Sequence, residues 1–199
     1  MTISRTGRPL RGRLAGADNP VMMFIPTSIA GVVEVRTAPV ADARGDFARG
    51  FCTDEFRDAG IAFDVVQTNI SRNHHRGTLR GMHYQADPAP DPKLIRCIRG
   101  CVFDVAVDLR PGSDSFCQWV GTELDTDAQN ALFVPPGCAH GFLTLEDDST
   151  VEYLMGAAYV PELARGVRWD DPAFAIAWPS APRIMSERDG AYPDFAAGA

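Results

Sequence analysis

A period of two over residues 102–109 constrains this chain more than any other feature. Phe103, Val105, Val107 and Leu109 alternate with Val102, Asp104, Ala106 and Asp108. Successive side chains of a strand point to opposite faces, so the pattern predicts a half-buried strand. Similar short runs recur at 32–38, 64–70, 79–85, 93–99, 118–124, 130–134, 140–145 and 150–155. Turn formers separate many of them: Arg99-Gly100, Pro111-Gly112-Ser113, Pro135-Pro136-Gly137 and Glu146-Asp147-Asp148. Many short strands so punctuated predict a sandwich or barrel. Helical signal is scarce. Thr53 to Ala59 predicts one short helix, capped by Thr53 and stopped by Gly60. Pro161, Pro172, Pro179, Pro182 and Pro193 predict irregular chain with short helical turns near the end.

The β pattern begins near residue 21, and the 199 residues are 45% apolar, enough for one domain over 21–199 with its own core. Before it, Arg5, Arg8, Arg11 and Arg13 sit among Gly and Pro without apolar period, so residues 1–20 read as a flexible N-terminal arm. The net charge of -7 argues against nucleic acid as a partner, because neutralising phosphates needs surplus Lys and Arg. The most apolar early run, Val21 to Pro26, is too short for a signal peptide or a membrane span. The five cysteines, at 52, 97, 101, 117 and 138, form no C-x-x-C pair and read as reduced core thiols of a cytoplasmic protein.

Four histidines are the first candidates for chemistry. His74 and His75 fall in the polar segment Ser71 to Gly77 and read as loop residues. His83 and His140 lie beside glycines inside apolar strand patterns, Leu79 to Gln85 and Pro135 to Phe142. Each alone reads as a core histidine, but two in matching settings suggest a site. Gly77 followed by His83, and Pro135-x-Gly137-x-x-His140, resemble parts of the two cupin motifs, which implies a β jelly roll with both rings in its mouth. A metal-binding cupin would add a second His and a Glu. Here Gln85 and Pro88-Ala89-Pro90 stand instead, and two imidazoles are a poor transition-metal site. Without a metal, acid–base groups must act. Lys93 is the only lysine beside eighteen arginines, as if a compact ammonium were wanted there. Tyr153 on a strand reads first as core, and Asp170-Asp171-Pro172 first as a turn.

The chain resembles the dTDP-4-dehydrorhamnose 3,5-epimerase family from about Ile25 to Pro179. The resemblance rests on Asp42 to Gly45, Leu79 to Gln85, Lys93 to Arg96, Val102 to Arg110, Pro136 to Phe142 and Arg168 to Asp171, with a weaker echo at Ser186 to Asp189. It implies an all-β, cupin-type jelly-roll barrel with short peripheral helices. It implies epimerisation at C3, C5 or both of a nucleoside-diphosphate 4-keto-6-deoxyhexose, by proton transfer through an enolate and without metal or other cofactor. By the same resemblance His83 is the base, Asp171 its partner, Tyr153 the acid on the opposite face, and Lys93 the charge beside the C4 oxygen. Arg44, Phe47, Arg49, Gln67, Asn69, Arg80, His140 and Tyr159 fall at substrate-binding positions. The Arg44 segment would reach a neighbouring subunit, implying a homodimer with shared sites. Arg49 stands where many members carry an acidic residue and Thr68 where Asp is usual, so nucleotide and sugar stay open, as does the number of centres inverted. Two other readings remain: a metal-dependent cupin isomerase or oxygenase using His83, Gln85 and His140, and a non-catalytic jelly roll that only binds nucleotide sugars.

Overall fold

The computed structural model describes residues 22–196, so the arm expected over residues 1–20 lies outside the described residues. Two antiparallel sheets face each other. One has six strands in the order β1 (Met23–Pro26), β2 (Val33–Arg36), β10 (Asn130–Val134), β7 (Lys93–Arg99), β12 (Ser149–Met155) and β5 (Gln67–Asn73). The other has five: β13 (Ala164–Gly166), β6 (Leu79–Gln85), β11 (Cys138–Thr144), β8 (Cys101–Asp108) and β9 (Trp119–Asp125). The alternation predicts a sandwich or barrel, and this is the jelly roll that the resemblance implies. A separate hairpin pairs β3 (Val40–Asp42) with β4 (Gly45–Phe47).

Alternation decides which side chains fill the space between the sheets. Ile95, Cys97, Leu132, Val134 and Val151 from the six-stranded sheet meet Val102, Ala106, Leu124, Cys138 and Phe142 from the other. Burial of one such Phe, Leu or Ile contributes roughly 1.5–3 kcal/mol. The sheets' outer faces are also covered. Leu94, Ala131 and Phe133 pack under Phe56 and Phe63, from α1 (Thr53–Asp58) and the segment after it. Met82, Val105, Val107 and Ala139 pack under Val167, Phe174 and Trp178 of the irregular chain near the end. That second cover corrects the half-buried reading of residues 102–109. All but Phe103 and Leu109 are buried, because β8 is a central strand with apolar layers on both sides.

Other expectations shift in detail. Thr53 opens the helix, but the N-cap position belongs to Cys52, and no side chain caps it. The run expected over 64–70 pairs over Gln67–Asn73 instead. The segment around His74 and His75 does leave the sheet as a loop, and all five cysteines are unpaired. Burial pushes the Cys101 and Cys138 thiols up to about 12, which leaves them inert as nucleophiles.

Candidate active site

A cavity of about 560 Å³ opens between the sheets, lined among others by Arg80, His83, Lys93, His140, Tyr153 and Asp189. Lys93 and Tyr153 share the inward face of the six-stranded sheet with Ile95 and Val151, each two residues away along its strand. His140 lies inward on β11 between Cys138 and Phe142. Strict alternation would send Arg80 and His83 to opposite faces of β6. They reach the same cavity because β6 carries an irregularity. His83 pairs with His140, but Arg80 pairs with Phe142, so three residues on one strand span two on the other. Such a bulge re-aims a side chain. Glycines permit it: a Cβ on Gly81, whose φ is +142°, would lie 2.5 Å from the Cα of Gly141.

His83 Nε2 lies 2.7 Å from Oδ1 of Asp189, which sits on α2 (Glu187–Gly190). Asp189 is 4% exposed. Its other oxygen accepts the Gly81 amide at 3.4 Å. Burial raises its carboxyl, but the bond to His83, the His83 charge, the Gly81 amide and Ser186 outweigh this and hold it below the ordinary carboxylate range. An ionised carboxylate can only accept, so Nε2 of His83 carries a proton, and in the neutral imidazole the lone pair lies on Nδ1. A neutral imidazole so oriented can accept a proton at Nδ1.

Asp171, expected in this role, does not line the cavity. It is 1% exposed, and its carboxylate accepts the amides of Ala173 at 2.8 Å and Phe195 at 2.6 Å. It ties the cover of the five-stranded sheet to the last described turn of chain.

A second imidazole–carboxylate pair lies deeper. His140 Nε2 stands 2.8 Å from Oδ2 of Asp104, while Oδ1 of Asp104 is buried without a hydrogen-bond partner among the described residues. Burial pushes the Asp104 carboxyl up, against the pull of His140 and Lys93. The His140 ring meets Tyr153 edge-on, with centroids 5.9 Å apart. Burial, and then the charge of Asp104, pushes the Tyr153 phenol above its ordinary value. Tyr153 therefore keeps its proton at rest, as an acid must. Lys93 is 4% exposed and pairs with Asp91 at 2.9 Å, so its charge is buried but compensated.

Of the substrate-binding positions, Asn69, Arg80 and His140 line the main cavity. Gln67 and Tyr159 line an adjoining one of about 220 Å³, which shares Asn69 and Met155 with the first. Arg80 is held by Asn73 Oδ1 at 2.8 Å. Arg44 and Phe47 are elsewhere. They ride the β3–β4 hairpin, where Arg44 pairs with Asp42 and Phe47 is 74% exposed. Arg49 pairs with Glu55, whose other oxygen accepts the Met22 amide at 2.8 Å. Arg49 is thus engaged at the root of that hairpin and is absent from the cavity walls of its own chain. Among the described residues, no three His, Cys, Asp or Glu side chains converge as a metal site requires.

The sequence reading passed over four groups: Asp189, Arg188, Asp104 and Asp91. Asp189 and Arg188 lie in the Ser186 to Asp189 echo, the one signal that could have found them. Asp104 appears only as a polar residue in an apolar alternation.

The family model for dTDP-4-dehydrorhamnose 3,5-epimerase matches residues 26–197. A dTDP-4-dehydrorhamnose 3,5-epimerase of Sinorhizobium fredii is 41% identical over 183 residues, covering 92% of this chain and 94% of the relative. A dTDP-4-dehydrorhamnose 3-epimerase of Streptomyces niveus is 38% identical, covering 84% of this chain and 81% of the relative. The crystal structure of the 3,5-epimerase of Bacillus anthracis, with TDP and PPi bound, superposes with a TM-score of 0.85 at 35% identity, covering 88% of this chain and 100% of that one. Fold and relatives together define an enzyme of the isomerase class built on a jelly roll. The chain belongs to the dTDP-4-dehydrorhamnose 3,5-epimerase family.

Proposed function

We propose that this enzyme inverts a carbon beside the C4 ketone of a nucleoside-diphosphate 4-keto-6-deoxyhexose, at C3, C5 or both. One observation carries the reading. The facing sheets present an imidazole backed by a carboxylate and a protonated phenol to one cavity, with a buried ammonium on its wall. A proton beside a ketone is weakly acidic, so its removal needs a base and a cation for the enolate oxygen. In this reading Nδ1 of His83 takes the proton, leaving an imidazolium whose charge Asp189 balances. Lys93 stabilises the enolate oxygen. Tyr153, from the facing sheet, returns a proton to the opposite face, and solvent exchange resets both groups. No metal or other cofactor takes part. The nucleotide would lie toward Arg80 and the adjoining cavity of Gln67, Asn69 and Tyr159. Relatives named for TDP-linked sugars favour a thymidine nucleotide as the first substrate to try.

The exposed Phe47 on a hairpin away from its own cavity supports a homodimer in which Arg44 and Phe47 complete the partner's site. Among the described residues no helix is long and apolar enough to cross a membrane. We place the reaction in the cytoplasm, where nucleotide sugars are made.

The test is proton exchange. In heavy water, dTDP-4-keto-6-deoxyglucose should take up deuterium at C3, at C5 or at both, and His83→Asn should abolish uptake. Uptake by His83→Asn at the wild-type rate would remove His83 from the mechanism. For the shared site, mixing inactive Arg44→Ala and His83→Asn proteins should restore part of the activity. A mixture that stays inactive although the subunits exchange would show that each chain is self-sufficient.

A further inference from the structure

Asp189 sits on a helix of four residues, too short to hold a buried carboxylate in place by itself. Upstream the segment is pinned to β6: the Ile184 carbonyl accepts the Leu79 amide at 2.8 Å, and Ser186 Oγ accepts the Asp189 amide at 3.1 Å. Downstream the first large side chain is Tyr192. Its ring lies against Gly166 of β13, and any Cβ at 166 would overlap it. Gly166 is the residue paired with His83 across β13 and β6. The Tyr192 ring accordingly meets the His83 ring edge-on, with centroids 6.4 Å apart at 69°. Its face carries the Arg188 guanidinium at 5.9 Å. The Tyr192 hydroxyl is buried, and among the described residues its polar neighbour is the Arg188 guanidinium. The contacts with Gly166 and with the His83 ring are made by the Tyr192 ring, so its packing holds the side chain there.

We infer that Tyr192 is the positioning residue that fixes Asp189 against His83, by filling the slot that Gly166 leaves open beside the base. The aromatic ring carries the effect and the hydroxyl does not. The inference rests on the reading of His83 as base, but its first test does not depend on turnover. The groups facing His83 in the cavity are Asp189 and Arg188 from α2, Arg80 from its own strand, His140 from β11, and Lys93 and Tyr153 from the opposite sheet. Only the first accepts its Nε2 proton.

The experiment is proton NMR of the full chain. The hydrogen-bonded imidazole proton of His83 should appear far downfield and be assigned by its loss in Asp189→Asn. Tyr192→Phe should keep it. Tyr192→Ala should lose it to solvent exchange, and so should Gly166→Ala, which expels the ring while leaving Tyr192 in the sequence. Retention of the resonance in either of these variants overturns the inference. In turnover, Tyr192→Ala should lower kcat about tenfold with KM within about twofold, and Tyr192→Phe should match wild type. The double variant Tyr192→Ala/Asp189→Asn should be no slower than Asp189→Asn alone. Losses that multiply would mean that Tyr192 acts independently of Asp189, and would also overturn the inference. Should Tyr192→Ala fail to fold, Tyr192→Leu and Gly166→Ala answer the same question. Full activity of His83→Asn would defeat the assignment of the base and leave the NMR result standing.

Discussion

His83 and Asp189 lie 106 positions apart in sequence, yet their side chains meet at 2.7 Å, and among the described residues no other carboxylate is bonded to that imidazole. Asp189→Asn should therefore lower turnover by about 10²-fold or more, within the range typical of a disturbed general base, with the fold intact. Asp171→Ala should behave differently. It strands the Ala173 and Phe195 amides, at a cost of about 1–3 kcal/mol, and should lower Tm by several degrees while affecting turnover less. Steady-state kinetics beside thermal melts of both variants separate the roles. A greater turnover loss for Asp171→Ala would return the partner role to Asp171.

Tyr153→Phe should uncouple exchange from inversion. The variant keeps the ring and its edge-on contact with His140 but has no transferable proton. His83 and Lys93 can still form the enolate, and His83 would return a proton mostly to the original face. NMR of the sugar in heavy water should show deuterium uptake with inversion reduced far more. Inversion at the wild-type rate would make Tyr153 a packing residue and turn attention to Tyr159.

Acid should destabilise the protein through two buried carboxylates. Burial raises Asp108, but Arg110, Ser113 and Ser115 outweigh that and hold it well below the ordinary range; Asp189 is also lowered. A carboxyl whose folded pKa lies below its unfolded value stabilises the fold above the unfolded value. That contribution is lost as pH falls through about 4 toward the folded value. Asp104, raised by burial, acts in the opposite sense. Denaturant melts of Asp108→Asn should show a lower stability at pH 7 and a shallower loss between pH 5 and 3, roughly the ordinary carboxylate window. An unchanged slope would mean that Asp108 does not contribute to it.

Activity should survive exhaustive chelation. The mechanism uses an imidazole, a phenol and an ammonium, and the His83 and His140 rings each have a carboxylate as partner. Loss of turnover in EDTA, restored by one divalent ion, would favour the metal-dependent alternative.

Much of this molecule is legible in its sequence, and the exceptions have physical causes. Strands that bury one face or both announce themselves, as residues 102–109 do. The β3–β4 hairpin does not, because Val40 to Asp42 and Gly45 to Phe47 are exposed and carry no apolar period. His83 and His140 are readable as a pair from two glycine-marked strands, whereas Lys93 and Tyr153 enter the site only through the family resemblance. The bulge that brings Arg80 to His83 is not readable, since it depends on backbone approach between Gly81 and Gly141. The Asp170-Asp171 doublet is the more visible acidic signal, but α2 delivers its carboxylate only after the chain has crossed the whole outer face of the sheet. No local pattern encodes such a distance.

The separation of base from carboxylate makes the site modular. The strands fix the imidazole, the phenol and the ammonium, while residues 183–192 contribute the carboxylate as one contiguous strip docked from outside. Grafting that strip from a relative would retune the base without disturbing a single strand pairing between the two sheets. Catalytic rate and scaffold stability could then diverge independently, each under its own selection.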